Sequence, residues 1–199
     1  MNQAFLSWFV VGGAQPQYNC GLSNTYFKNS RGLFVVKTVN KSVLIWYSAS
    51  QMFDLVTDVP SYPKFLPWCD QAQVLESDAP SGASGSPSGP TQMTAQVGIS
   101  FGAVSQKFTT RNTHSIGAQG VHMVHLQLVQ GPFSALQGAW HFTPVGSAAQ
   151  NSCRVELQLS YDFDSATLAA LVGPVFDKIA SSLVDAFVKR AEQVYGPTL

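Results

Sequence analysis

The C-terminal stretch carries a helix-period stripe. Leu168, Val172, Val175, Phe176, Ile179, Leu183, Phe187, Ala191 and Val194 recur at steps of three and four, which sets them along one side of a helix. Asp177, Lys178, Asp185, Lys189, Arg190 and Glu192 read as the opposite, wet side. With Ser165 as a cap and Gly196-Pro197 as a stop, the pattern predicts one long helix over Ser165–Tyr195. Gly173-Pro174 interrupts it. A proline in a helix interior removes a backbone bond and costs ~3 kcal/mol, so a kink or short break is expected there, with Leu168, Leu171 and Val172 as a separate lid.

Upstream the period is two. Val36–Trp46 is rich in β-branched and aromatic residues and reads as a strand. Ser48 and Gln51 then make a capping-box signature for a helix over Ala49–Val56. Pro60, Pro63 and Pro67 allow only short helical turns beyond it. Further strands are predicted at Trp68–Ser77, Met93–Phe101, Val104–His114, Val121–Gln130, Leu136–Thr143 and Cys153–Phe163. The last alternates most plainly, with Cys153, Val155, Leu157, Leu159, Tyr161 and Phe163 inward. The predicted fold class is therefore α+β: a curved antiparallel sheet of about seven strands around a long C-terminal helix, with two short helices after the first strand. The apolar stripe is compatible with a filled core and with a cavity between sheet and helix, and the residues leave both open.

Composition narrows the rest. A chain of 199 residues is enough for one domain. Residues 1–34 show no period and are expected to be a poorly ordered extension, with translation starting near Val35 or Val36. Residues 35–197 form the single domain, and 79–90, which contains only Ala, Pro, Ser and Gly, reads as a flexible loop. Eleven basic and eleven acidic residues cancel, so no global field steers the protein to nucleic acid or an anionic membrane. Three widely spaced cysteines do not form a disulfide framework. No apolar run approaches the ~20 residues that span a bilayer.

Catalytic signatures are weak. His122 and His125 point to opposite faces of a strand, so they do not chelate one ion and no metal is expected. Cys69 lacks a partner that would lower its pKa, and no phosphate-cradling glycine loop is present. Lys107 and Arg111 share a face of their strand with Ser105, Thr109 and Thr113, ordinarily a solvated face.

Tyr47-Ser48-Ala49 with Met52, Asp58-Val59, and Tyr62 through Cys69 form one set of landmark residues. Phe108-Thr109-Thr110-Arg111-Asn112, Gly131-Pro132-Phe133, Leu136, Gly138, Trp140, Phe142-Thr143-Pro144 and Phe187 through Tyr195 complete it. In these motifs the chain from about Lys37 to Pro197 resembles the coenzyme Q-binding, START-like family, whose bacterial members include oligoketide cyclase/dehydrase-like proteins and ribosome association toxins of the RatA type. The loop at 79–90 looks longer than that pattern.

The resemblance implies a helix-grip fold enclosing a lipophilic cavity, and a non-catalytic ubiquinone binder supporting respiration, with the quinone as ligand and no cofactor. The pocket residues expected from the apolar faces are Phe101, Phe108, Trp140, Phe142, Tyr161, Phe163, Val172, Val175, Phe176 and Ile179. Tyr62, Phe65 and Leu66 are expected near the mouth. The expected location is the cytoplasm or the periphery of the inner membrane, with no transmembrane segment and no DNA partner. Two alternatives stay open. One is an inhibitor of the large ribosomal subunit, with Lys107, Arg111, Lys64, Lys37 and Lys41 on RNA. The other is a polyketide cyclase/dehydrase-like enzyme, which needs polar groups inside the cavity.

Overall fold

The computed structural model describes residues 17–29, 32–78, 90–101, 104–146 and 151–197. Two strands come first, β1 (Gln17–Asn29) and β2 (Gly32–Ile45). Helix α1 (Ala49–Thr57) follows, and Ser48 and Gln51 close its N-terminus as the sequence predicts. The Ser48 hydroxyl accepts from the Gln51 N–H at 3.1 Å, and the Gln51 amide oxygen accepts from the Ser48 N–H at 2.8 Å. The proline-rich segment winds into a 3-10 turn at Val59–Lys64. Next come β3 (Cys69–Ser77), β4 (Thr91–Phe101), β5 (Val104–Ile116), β6 (His122–Gln130), β7 (Phe133–Val145) and β8 (Ser152–Phe163). Helix α2 (Ala166–Tyr195) ends the order.

All neighbours in the sheet are antiparallel, and the strand order is β1-β2-β8-β7-β6-β5-β4-β3. Strands β3 to β8 form a meander, and β2 returns to pair with β8, Val39 opposite Leu159 and Val43 opposite Val155. The inward row of β8 is buried from Cys153 to Phe163. In β7 a register shift between Phe133 and Ala135 lets both Phe133 and Leu136 face the core despite their odd spacing. Helix α2 lies across this concave face and buries Val172, Phe176, Ile179, Ala180, Val184, Phe187, Val188 and Ala191. This is the helix-grip arrangement. By length and composition α2 is also apolar enough to cross a membrane, and Leu171 in its first half is 65% exposed.

Three expectations change. The segment expected to be poorly ordered contains β1, which pairs with β2 from Gln17 opposite Leu44 to Asn29 opposite Gly32. Main-chain ladder bonds need no particular side chains, so an edge strand can form where the sequence has little pattern. Residues 1–16, and the expected loop apart from Pro90, lie outside the described residues. The break at Gly173-Pro174 is absent, since α2 runs unbroken through Pro174. Proline keeps a helical φ and loses only its own N–H bond. The carbonyl this leaves unbonded belongs to Ala170, an exposed residue that water can reach, while Val172, Gly173 and Phe176 are buried against the sheet. Leu168, Leu171 and Val172 therefore belong to the same helix as the residues after Pro174. Finally, Asp177 and Asp185 are not on a free wet side. Lys37, Val39, Lys41, Val43 and Ile45 share one face of β2, and the two lysines reach α2. Lys37 pairs with Asp177 at 2.7 Å, and Lys41, itself 7% exposed, pairs with Asp185 and donates to the Ser181 carbonyl.

Candidate ligand-binding cavity

A partly open cavity of about 100 Å³ lies between the sheet and α2. Val97 and Ile99 of β4, Phe108, Thr110 and Asn112 of β5, and Leu126 of β6 line one side. Leu136 and Trp140 of β7 and Leu159 of β8 continue the wall, Phe176, Ile179, Leu183 and Phe187 of α2 close it, and Val59, Tyr62 and Trp68 also line it. Ring contacts hold the aromatic wall in place: Phe187 packs edge-on against Tyr62, Phe65 and Trp140 at 5.4, 5.2 and 5.4 Å. The volume is smaller than the ~300–1,000 Å³ usual for ligand sites.

Of the residues expected from the sequence, Tyr62, Phe108, Trp140, Phe176 and Ile179 stand on this wall. The others do not. Phe142 is fully buried in ring contact with Phe53 and Trp140. Phe163 stacks on Phe133 at 5.1 Å. Val172 is packed in the core and Val175 against it, while Phe65 lies against Phe187 and Leu66 is fully buried. Tyr161 donates its hydroxyl to Asp177. Burial first, and then that bond and the charge of Asp177, push its pKa well above the ordinary tyrosine range. The side chain of Phe101 lies outside the described residues. Sequence reasoning missed Thr110, Asn112, Leu126, Leu136, Leu159, Leu183 and Phe187. The two polar ones had a signal: if Phe108 faces inward, a period of two brings Thr110 and Asn112 with it.

The wall holds two uncharged polar side chains, Thr110 and Asn112, so it is not wholly apolar. Among the described residues its one titratable side chain is Tyr62, whose hydroxyl donates to the Val56 carbonyl at 2.6 Å and whose pKa burial pushes up, and no acid/base pair stands on it. Beyond the wall, His114 and His122 flank the ring of Phe53 at 5.7 and 4.9 Å. Burial lowers the pKa of both and raises that of Asp54, with Asp54 and His122 opposing the shift in each other. Burial, then the Asp70 charge, pushes the Cys69 thiol up to about 11, and burial pushes Cys153 up to about 12. Both thiols are protonated at neutral pH. Among the described residues no group of three or more His, Cys, Asp and Glu is arranged to hold a metal.

On the outer face Lys107 and Arg111 of β5 are exposed. Lys64, also exposed, donates to the Ser61 hydroxyl at 3.2 Å. Lys37 and Lys41, grouped with them as RNA contacts in the sequence reading, are instead held by α2, because the inward face of β2 carries them.

A curved sheet gripping a long helix over a largely apolar cavity defines the helix-grip class of fold. The chain belongs to the polyketide cyclase/dehydrase and lipid transport family, whose model matches residues 45–188. It is 40% identical to a Vibrio cholerae protein named ribosome association toxin RatA, over 81% of this chain and 99% of that protein. It is 28% identical to the mitochondrial coenzyme Q-binding protein COQ10 homolog B of Xenopus laevis, over 79% of this chain and 59% of that one. A solved START superfamily protein from Mycobacterium smegmatis superimposes with a TM-score of 0.59 at 20% identity, covering 79% of this chain and 98% of that one.

Proposed function

We propose that the protein binds a lipophilic small molecule, a polyprenyl quinone of the ubiquinone type, in the cavity between the sheet and α2, and does not convert it chemically. The observation that carries this reading is the wall itself: aliphatic and aromatic side chains from five strands and α2, with no proton-transferring pair among the described residues that line it. The name of the Xenopus relative supports the quinone in particular. On this reading the quinone is a ligand and not a resident redox cofactor. The protein works in the cytoplasm or at the periphery of the inner membrane and supports respiration. Native mass spectrometry with lipid extraction of the protein from its own host tests it. A bound polyprenyl quinone is expected; lipid-free protein with no saturable quinone binding overturns the proposal.

A second reading has its own support. The Vibrio relative, at higher identity and nearly full length, is named for ribosome association, and Lys107 and Arg111 are exposed on the outer face of β5, away from the cavity under α2. On this reading the protein contacts the large ribosomal subunit through that face. Phosphate contacts weaken with salt, so co-sedimentation with the large subunit at low salt, lost on Lys107→Glu/Arg111→Glu substitution, is the expected result. No association at low salt removes the reading.

A further inference from the structure

Strand β5 turns Phe108, Thr110 and Asn112 to the cavity and Lys107, Thr109 and Arg111 away from it. Asn112 is an odd choice for its place. Its neighbours across the ladder are Met93 of β4 and Leu126 of β6, and neither side chain has a hydrogen-bond donor. The Asn112 Oδ1 atom is buried and has no hydrogen-bond partner. The amide therefore leaves its carbonyl oxygen without a donor inside the protein. A leucine of similar size would fill the space without that penalty, because a buried polar group left unpaired costs stability and an apolar one does not.

We propose that Asn112 is the polar anchor of the cavity, with Thr110 two residues along the same face beside it. This rests on the lipophilic-ligand reading above and adds which part of the ligand goes where. The ligand presents a ring carbonyl or ring hydroxyl to Asn112 and apolar surface to Trp140, Leu159, Phe176 and Phe187. An amide suits both forms of such a ring, since its N–H donates to a carbonyl and its oxygen accepts from a hydroxyl. A pure hydrocarbon of the same shape leaves the amide stranded and binds more weakly than the quinone.

The test measures affinities of two probes for the full chain: a dimethoxybenzoquinone carrying one prenyl unit, and the corresponding prenylated hydrocarbon ring without oxygen. The wild type is expected to prefer the quinone. Asn112→Leu is expected to weaken quinone binding about tenfold, the scale of one well-placed hydrogen bond, and to leave hydrocarbon binding unchanged. Thr110→Val should have a smaller effect in the same direction. Ligand-free Asn112→Leu is expected to melt above the wild type. Quinone binding by Asn112→Leu at full strength overturns the anchor alone, as does a ligand-free variant melting below the wild type. A wild type that takes neither probe removes the cavity reading and the anchor with it. Should Asn112→Leu not fold, Asn112→Met is judged by the same quinone-to-hydrocarbon ratio.

Discussion

His114 and His122 show how burial at single residues sets a pH response. Both lie on either side of Phe53, and burial depresses the proton affinity of each below the ordinary 6.5. Above that pH they are neutral in folded and unfolded chains alike. As pH falls through 6.5 the unfolded chain takes up protons first, so stability is lost on acidification. Asp54 acts in the opposite sense and lower down, because its folded pKa is raised above 3.8. The expected outcome is a melting temperature that falls between about pH 7 and pH 5.5, and a flatter profile in His114→Gln/His122→Gln. An unchanged slope in the double variant would refute the assignment. At this scale the sequence was only partly legible. It placed Phe108, Trp140, Phe176 and Ile179 on inward faces, but it could not separate a residue facing the cavity from one, such as Phe142, packed behind it. That difference depends on how strands are phased against one another, which single-strand alternation does not contain.

The elements themselves were easier to read, because period and capping are local. The buried row of β8 and the span of α2 follow from alternation and from the 3.6-residue repeat. What α2 does with its charges was not local. Asp177 takes the Lys37 ammonium and the Tyr161 hydroxyl together, fastening the helix to β2 and β8 across 140 and 16 residues of sequence. Removing it strands the hydroxyl of a fully buried tyrosine, so Asp177→Ala is expected to lower unfolding free energy by about 1–3 kcal/mol, read from urea titration. Tyr161→Phe in that background should then cost less than it does in the wild type, since its partner is already gone. Equal costs in both backgrounds would show that the pair is not coupled. Strand β1 illustrates the opposite limit. Residues 1–27 have no charged side chain and little alternation, so the sequence pattern does not announce the ladder that β1 makes with β2.

For the molecule as a whole, β1 lies outside the segment that the family shares. The family model begins at residue 45, and Val39 and Val43 of β2 belong to the same buried cluster as the inward residues of β8 and α2. A chain shortened to begin at Val36 is expected to fold, with the same quinone affinity as the full chain. It also exposes the unpaired edge of β2, and open edges invite pairing with another chain. Sedimentation velocity should therefore reveal concentration-dependent association of the short form only; a short form that does not fold would make β1 part of the core. The size of the cavity carries a different kind of consequence. A space of about 100 Å³ is below the ~300–1,000 Å³ usual for ligand sites, so on the quinone reading the resting protein is expected to loosen before the ligand enters. Association is then gated by the protein: in stopped-flow mixing the observed rate should level off as quinone concentration rises, at the frequency with which the sheet and α2 part around the cavity.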